Sequence, residues 1–139
     1  MRIGWQTAVP DGKATGQMSD LLFDTNCLLD IYHGRERIRS HFESIRDGKI
    51  RAYLSVITEA ELWRGLRTGE INRHETLINQ FALLPLHSET ARLAGAWMQQ
   101  YGQSGLGWMD AFITATAKTT SLTVLTRDKR LAQVLASEA

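Results

Sequence analysis

Three shortages in this chain of 139 residues each remove a class of protein. Its one cysteine, Cys27, excludes an internal disulfide and fits a reducing cytosolic compartment. Cys27 sits in an apolar run with no histidine near it, so it reads as a small core residue and not a nucleophile. The four histidines, at 33, 41, 74 and 87, show no pair at metal-ligand spacing, which argues against zinc and against a histidine acid–base pair. No apolar run approaches the roughly 20 residues that cross a bilayer, and the first residues lack the apolar core of a signal peptide. A cytoplasmic protein without a membrane partner is expected. Charge of one sign is also missing: 16 Lys and Arg against 15 Asp and Glu leave a net +1, so composition alone does not announce a nucleic-acid binder. Repeats and low-complexity tracts are absent.

What is present suits one compact domain, since 43% hydrophobic content at this length can bury a core without staples. Residues 1–17 hold Gly, Pro and small polar residues without periodicity, and Met18 stands before the first convincing strand, so 1–17 are set apart as a leader and 18–139 as the domain. Strands are expected at 20–23, 51–56, 83–86 and 122–126. Helices are expected at 27–33, 35–47, 58–67, 70–81, 88–101, 109–119 and 128–136, with Thr58 and Ser88 as caps. Strands alternating with helices predict an α/β fold, a three-layer α/β/α sandwich around a mainly parallel sheet.

In such a sheet the functional crevice lies outside the carboxyl ends of the strands. Asp24 follows the first strand, Asp128 lies two residues past the last, Glu61 opens the helix after the second strand, and Asp110 begins the helix DAFITATA. All four acids fall on one sheet edge. Each also has a plainer explanation. Thr58 and Glu61 fit a T-x-x-E capping box, Asp110 and Asp128 can offset helix dipoles, and Asp24 can cap the next short helix. Asp24 resists that explanation most, because it interrupts the apolar run LLFDTNCLLD and an unpaired buried carboxylate is costly.

Gathered without cations, four carboxylates would raise one another's pKa values, so the cluster calls for positive charge. All-oxygen ligation favours Mg²⁺, with Mn²⁺ able to substitute. Such an ion can activate water for in-line attack on a phosphodiester. Without a histidine pair, direct attack by water is expected, leaving a 5′-phosphate. With the four acids set aside at −4, the rest of a chain at +1 carries +5.

Four stretches in order, LLFDTNCLLD, LSVITEAELWRG, DAFITATA and LTVLTRDKRL, span residues 21–131 and resemble the PIN-domain ribonucleases, within them the VapC-like toxins of bacterial toxin–antitoxin pairs. The resemblance implies a Mg²⁺- or Mn²⁺-dependent endoribonuclease. It matches Asp24, Glu61 and Asp110 to the family's three metal-site acids and Asp128 to the more variable fourth. Asn26 and Thr126 look like residues that orient ligands or a water, and Ser55 and Thr58 match small hydroxyl positions beside the site. Residues 105–109, GLGWM, lack the extra acid many members carry before the Asp110 position, which points to one tightly held ion, with a second arriving with substrate.

A phosphate chain approaching an acidic cluster needs cations nearby. Arg64, Arg67, Arg127 and Lys129 flank the proposed ligands and are the expected phosphate contacts, with Arg130 beside them. Single-stranded or looped RNA is the expected substrate. The resemblance further implies a homodimer and a small cognate antitoxin docking a helix in an apolar groove, with Leu62, Trp63, Leu66 and the Tyr32 region as candidate lining. The alternative function is a catalytically silent RNA- or partner-binding module on the same fold. A dehalogenase-like phosphatase would want an aspartate where Asn26 stands, and a phospho-receiver lacks its pair of acids.

Overall fold

The computed structural model describes residues 6–8 and 20–137. They form one five-stranded sheet and seven α-helices. In chain order the elements are β1 (Gln6–Ala8), β2 (Asp20–Phe23), α1 (Thr25–Tyr32), α2 (Arg39–Arg46), β3 (Arg51–Ser55), α3 (Val56–Arg64), α4 (Ile71–Ile78), β4 (Ala82–Leu84), α5 (Ser88–Tyr101), α6 (Trp108–Thr120), β5 (Thr123–Thr126) and α7 (Lys129–Ser137). The sheet order is β1-β5-β2-β3-β4. The last four strands are mutually parallel, and β1 runs antiparallel to β5 with Thr7 opposite Leu125. Of the stretch set apart as a leader, Gln6–Ala8 is therefore an edge strand, and its other residues lie outside the described ones.

Two-residue alternation along the central strands builds the three layers. Leu21 and Phe23 of β2, with Leu125 of β5, pack with α1, α2 and α4 through Leu28, Ile45, Leu77 and Ile78. Leu22 and Val124 point to the other face, against Ala94, Trp97, Ile113 and Leu131 of α5, α6 and α7. Apolar residues on both strand faces, with helices outside each, are the pattern of a buried parallel sheet. The expected sandwich is present.

Several boundaries differ for local reasons. The expected helix 35–47 splits into a 3-10 turn at Glu36–Ile38 and α2, which stops before Gly48 at φ +74°, a left-handed conformation glycine takes without strain. In place of the expected helix 70–81, a 3-10 turn at Thr68–Glu70 leads into the shorter α4, which ends at Ile78. α3 starts at Val56 and not Thr58, because Ser55 caps it by accepting from the Ile57 amide at 3.0 Å. His87, not Ser88, occupies the N-cap of α5.

Candidate active site

The junctions of this sheet place the acids. β2 ends at Phe23, and the Asp24 amide donates to Leu125 O at 3.0 Å, so Asp24 prolongs the pairing with β5 and enters the sheet's end. Its side chain is 4% exposed. One carboxylate oxygen accepts from the Thr25 amide and the other from Thr126 Oγ1, each at 2.7 Å. Thr126 in turn accepts from the Asp128 amide at 2.9 Å, joining two of the predicted acids through one buried hydroxyl. Asp128 Oδ1 accepts from the Arg130 amide at 2.8 Å, so Asp128 also caps the start of α7.

Glu61 is not part of a capping box. With α3 starting at Val56, it lies in the second turn and reaches towards α1, where Thr25 Oγ1 donates to Glu61 Oε1 at 2.6 Å and pairs with the buried Thr58 hydroxyl at 3.0 Å. Thr25 is the site residue that sequence reasoning passed over. Its signal was present: a hydroxyl at the first helical position, directly after an acid that cannot be apolar core.

Burial and neighbouring like charge act on two of the four acids. Burial raises the Asp24 carboxyl, its hydrogen bonds from Thr126 and Thr25 oppose this, and the charges of Asp128 and Glu61 raise it further. Asp110, in the first turn of α6, is raised to about 6, first by burial and then by Asp24, Asp128 and Glu61, with Arg130 opposing. Among the described residues no three His, Cys, Asp or Glu side chains close on one point tightly enough to ligate an ion. The donor set still fits a hard divalent cation. Mg²⁺ keeps several waters and uses one or two carboxylates, so it does not require a closed protein cage.

Residues 21–135 match the PIN domain family. The chain belongs to that family. It is similar to Ribonuclease VapC10 of Mycobacterium tuberculosis, at 34% identity over 111 residues that cover 76% of this chain and 80% of that one. Among solved structures it is similar to FitAcB from Neisseria gonorrhoeae, with TM-score 0.66, 30% identity and coverage of 84% and 93% of the two chains. It also resembles a toxin–antitoxin complex from Klebsiella pneumoniae, with TM-score 0.60, 28% identity and coverage of 73% and 81%.

In this PIN domain the remaining predicted residues divide. Thr126 Oγ1 donates to the Asp24 carboxylate and accepts from the Asp128 amide. Asn26 is half-buried beside the site, and its Oδ1 lies 3.4 Å from the Cys27 thiol. Ser55 is spent on capping α3. Arg64, Arg67 and Lys129 are exposed, as phosphate contacts must be. Arg127 turns inward, its Nε 2.9 Å from Asp30 Oδ2 as an ion pair whose N–H is not aimed at the oxygen. Asp30 is 2% exposed and also holds Arg37 through two contacts of 3.2 Å. Arg127 thus anchors the β5–α7 turn and does not face the rim. Cys27 is core, its thiol pushed up by burial and lying 3.1 Å from Leu125 O.

Two adjoining clefts lie along α1, and one of them reaches Glu61. One, of about 210 Å³, is lined by Leu29, Tyr32, Leu62 and Leu66, with Glu61 at its margin. The other, of about 420 Å³, is lined by Ile31, Phe42 and Leu77, and both share Tyr32 and Arg73. Leu62, Leu66 and Tyr32 therefore line a groove as expected. Trp63 lies 43% exposed beside it, its ring edge-on to His74 at 5.0 Å.

Proposed function

We propose that the chain is the RNA-cleaving toxin of a toxin–antitoxin pair, a Mg²⁺- or Mn²⁺-dependent endoribonuclease that hydrolyses phosphodiesters to 5′-phosphate ends. The carrying observation is the hydrogen-bonded chain at the end of a PIN-domain sheet, in which Thr25 joins Glu61 to Asp24 and Thr126 joins Asp24 to Asp128, with Asp110 raised by the charges of these acids. The names of its relatives, a ribonuclease and toxin–antitoxin complexes, support the same reading.

A bound divalent ion supplies the charge that activates water, aligns it with the phosphodiester and neutralises the leaving oxygen. The chain's own residues do the rest. Thr126 and the Thr25 amide fix the Asp24 carboxylate, Thr25 Oγ1 fixes Glu61, and the Thr126 hydroxyl sets Asp128 at a defined place beside them. Preset ligands of this kind remove reorganisation cost from the reaction. Asp110 binds a proton more readily than an ordinary carboxyl, so below about pH 6 that proton would compete with a cation held there.

The two apolar clefts that share Tyr32 and Arg73 suit an apolar helical segment of an antitoxin, with Glu61 placed to receive a basic side chain from it. A homodimer is the expected assembly. Light scattering tests it, with a mass near twice the 15.6 kDa of one chain expected.

Purified protein is to be incubated with labelled RNA in Mg²⁺, in Mn²⁺ and in EDTA, and the new ends sequenced. Cuts confined to the metal-containing samples, bearing 5′-phosphates, are expected. Cleavage in EDTA, or cyclic phosphate ends, overturns the mechanism. RNA binding indifferent to Mn²⁺, without cut products, identifies the silent module instead.

A further inference from the structure

Resting on the RNA-cleaving reading, we infer that Arg130 is a fixed phosphate-binding residue at the edge of the acid site and that Gly105 is the residue that positions it. Most other arginines near the site are engaged elsewhere. Arg37 and Arg127 hold Asp30, Arg39 pairs with Glu36 at 3.0 Å, and Arg73 donates to Tyr32 O at 2.7 Å. Arg64, Arg67 and Lys129 are exposed side chains whose ordering on a ligand costs rotamer entropy. Arg130 is exposed yet already placed. Its Nη1 donates to Gly105 O at 2.8 Å, its backbone amide bonds the Asp128 carboxylate, and its charge reaches Asp110.

The anchor is built for that side chain. Gly105 sits at φ +101°, where L side chains are strained, and a Cβ there would lie 2.7 Å from Arg130 Nη1 and 3.3 Å from Cζ. Glycine both permits this turn between α5 and α6 and lets the guanidinium lie against the backbone. One of five N–H donors is used in that bond, so the planar fork keeps donors for a phosphate oxygen. A cleft of about 300 Å³ is lined by Arg130 itself together with Ser104, Gln133 and Ser137.

Asp110→Asn is the parent for the test, because it removes cleavage while leaving the basic residues in place. Binding of a fluorescent single-stranded RNA oligonucleotide is measured by anisotropy across a salt series for the parent and for the parent carrying Arg130→Gln, Arg130→Lys or Gly105→Ala. Arg130→Gln is expected to flatten the slope of log affinity against log salt by about 0.7, the share of one phosphate contact on a single strand. Arg130→Lys keeps the slope but binds several-fold more weakly, since an ammonium lacks the fork. Gly105→Ala weakens binding several-fold with every charge retained. A purely structural strap would move the melting temperature and leave the slope alone. An unchanged slope in Arg130→Gln overturns the inference while the RNA-cleaving reading stands. If that variant does not fold, parental affinity in Arg130→Lys overturns it. A parent that binds no RNA overturns both.

Discussion

Two aspartates of the decapeptide LLFDTNCLLD are almost equally buried and meet opposite fates. Asp30 is neutralised by two guanidinia, whereas Asp24 has only hydroxyl and amide donors and two acidic neighbours. The acids acting with Asp24 include Asp110 as well as Asp128 and Glu61, whereas Asp30 is structural. Asp30→Ala should destabilise the protein by about 3 kcal/mol in urea titration, the lower end for breaking a buried pair because both arginines keep some access to water. A loss below about 1 kcal/mol would show that the pair carries little. Asp110 belongs with Asp24. It titrates near 6 when folded against 3.8 in an unstructured chain, so the folded state holds a proton that the unfolded chain has already lost in that interval. Its contribution to stability is greatest below pH 3.8 and is lost as pH rises through 6. In EDTA, Asp110→Asn should therefore melt higher than the parent near neutral pH, with the advantage vanishing at about pH 4. Saturating Mg²⁺ should cancel it, and RNA cleavage should fall by on the order of 10²-fold. A lower melting temperature for the variant at neutral pH would return Asp110 to a helix-capping role.

At the scale of elements, the sequence announced the alternation of strands and helices but misjudged where α3 begins. Strand–helix alternation and the two-sided apolar strands were legible because a buried parallel sheet needs them. The start of α3 was not, since YLSVITEAEL runs from strand into helix without a loop, and T-x-x-E imitates a cap three residues too late. That shift frees Glu61 from its own helix terminus and turns it towards Thr25. The inward turn of Arg127 was equally hidden, because its partner Asp30 lies 97 positions away in the chain and reads locally as a helix end. Thr25→Val removes the donor to Glu61 at nearly constant volume. The Mn²⁺ concentration for half-maximal cleavage should rise 10- to 100-fold, about what losing a ligand's hydrogen-bond partner costs. An unmoved half-saturation point would mean that Glu61 needs no orientation from α1.

For the whole molecule, everything reduces to whether acids from β2–α1, α3, α6 and β5–α7 act as one site. Coupling energies answer that without assuming any reaction. In EDTA, Asp110→Asn and Asp128→Asn relieve the same repulsion, so the double variant should gain less stability than the two single effects predict, by at least about 0.5 kcal/mol. Asparagine still caps α7, so the Asp128 substitution does not confound the cycle through the helix. Glu36→Gln, at an exposed pair with Arg39, provides the contrast and should add to Asp110→Asn within about 0.5 kcal/mol. Mn²⁺ should reverse the sign of the first coupling, because carboxylates that repel one another alone cooperate around a cation. Independent, additive effects of Asp110 and Asp128 in both conditions would dissolve the site into separate helix-terminal acids, and the family's fold would stand here without its chemistry.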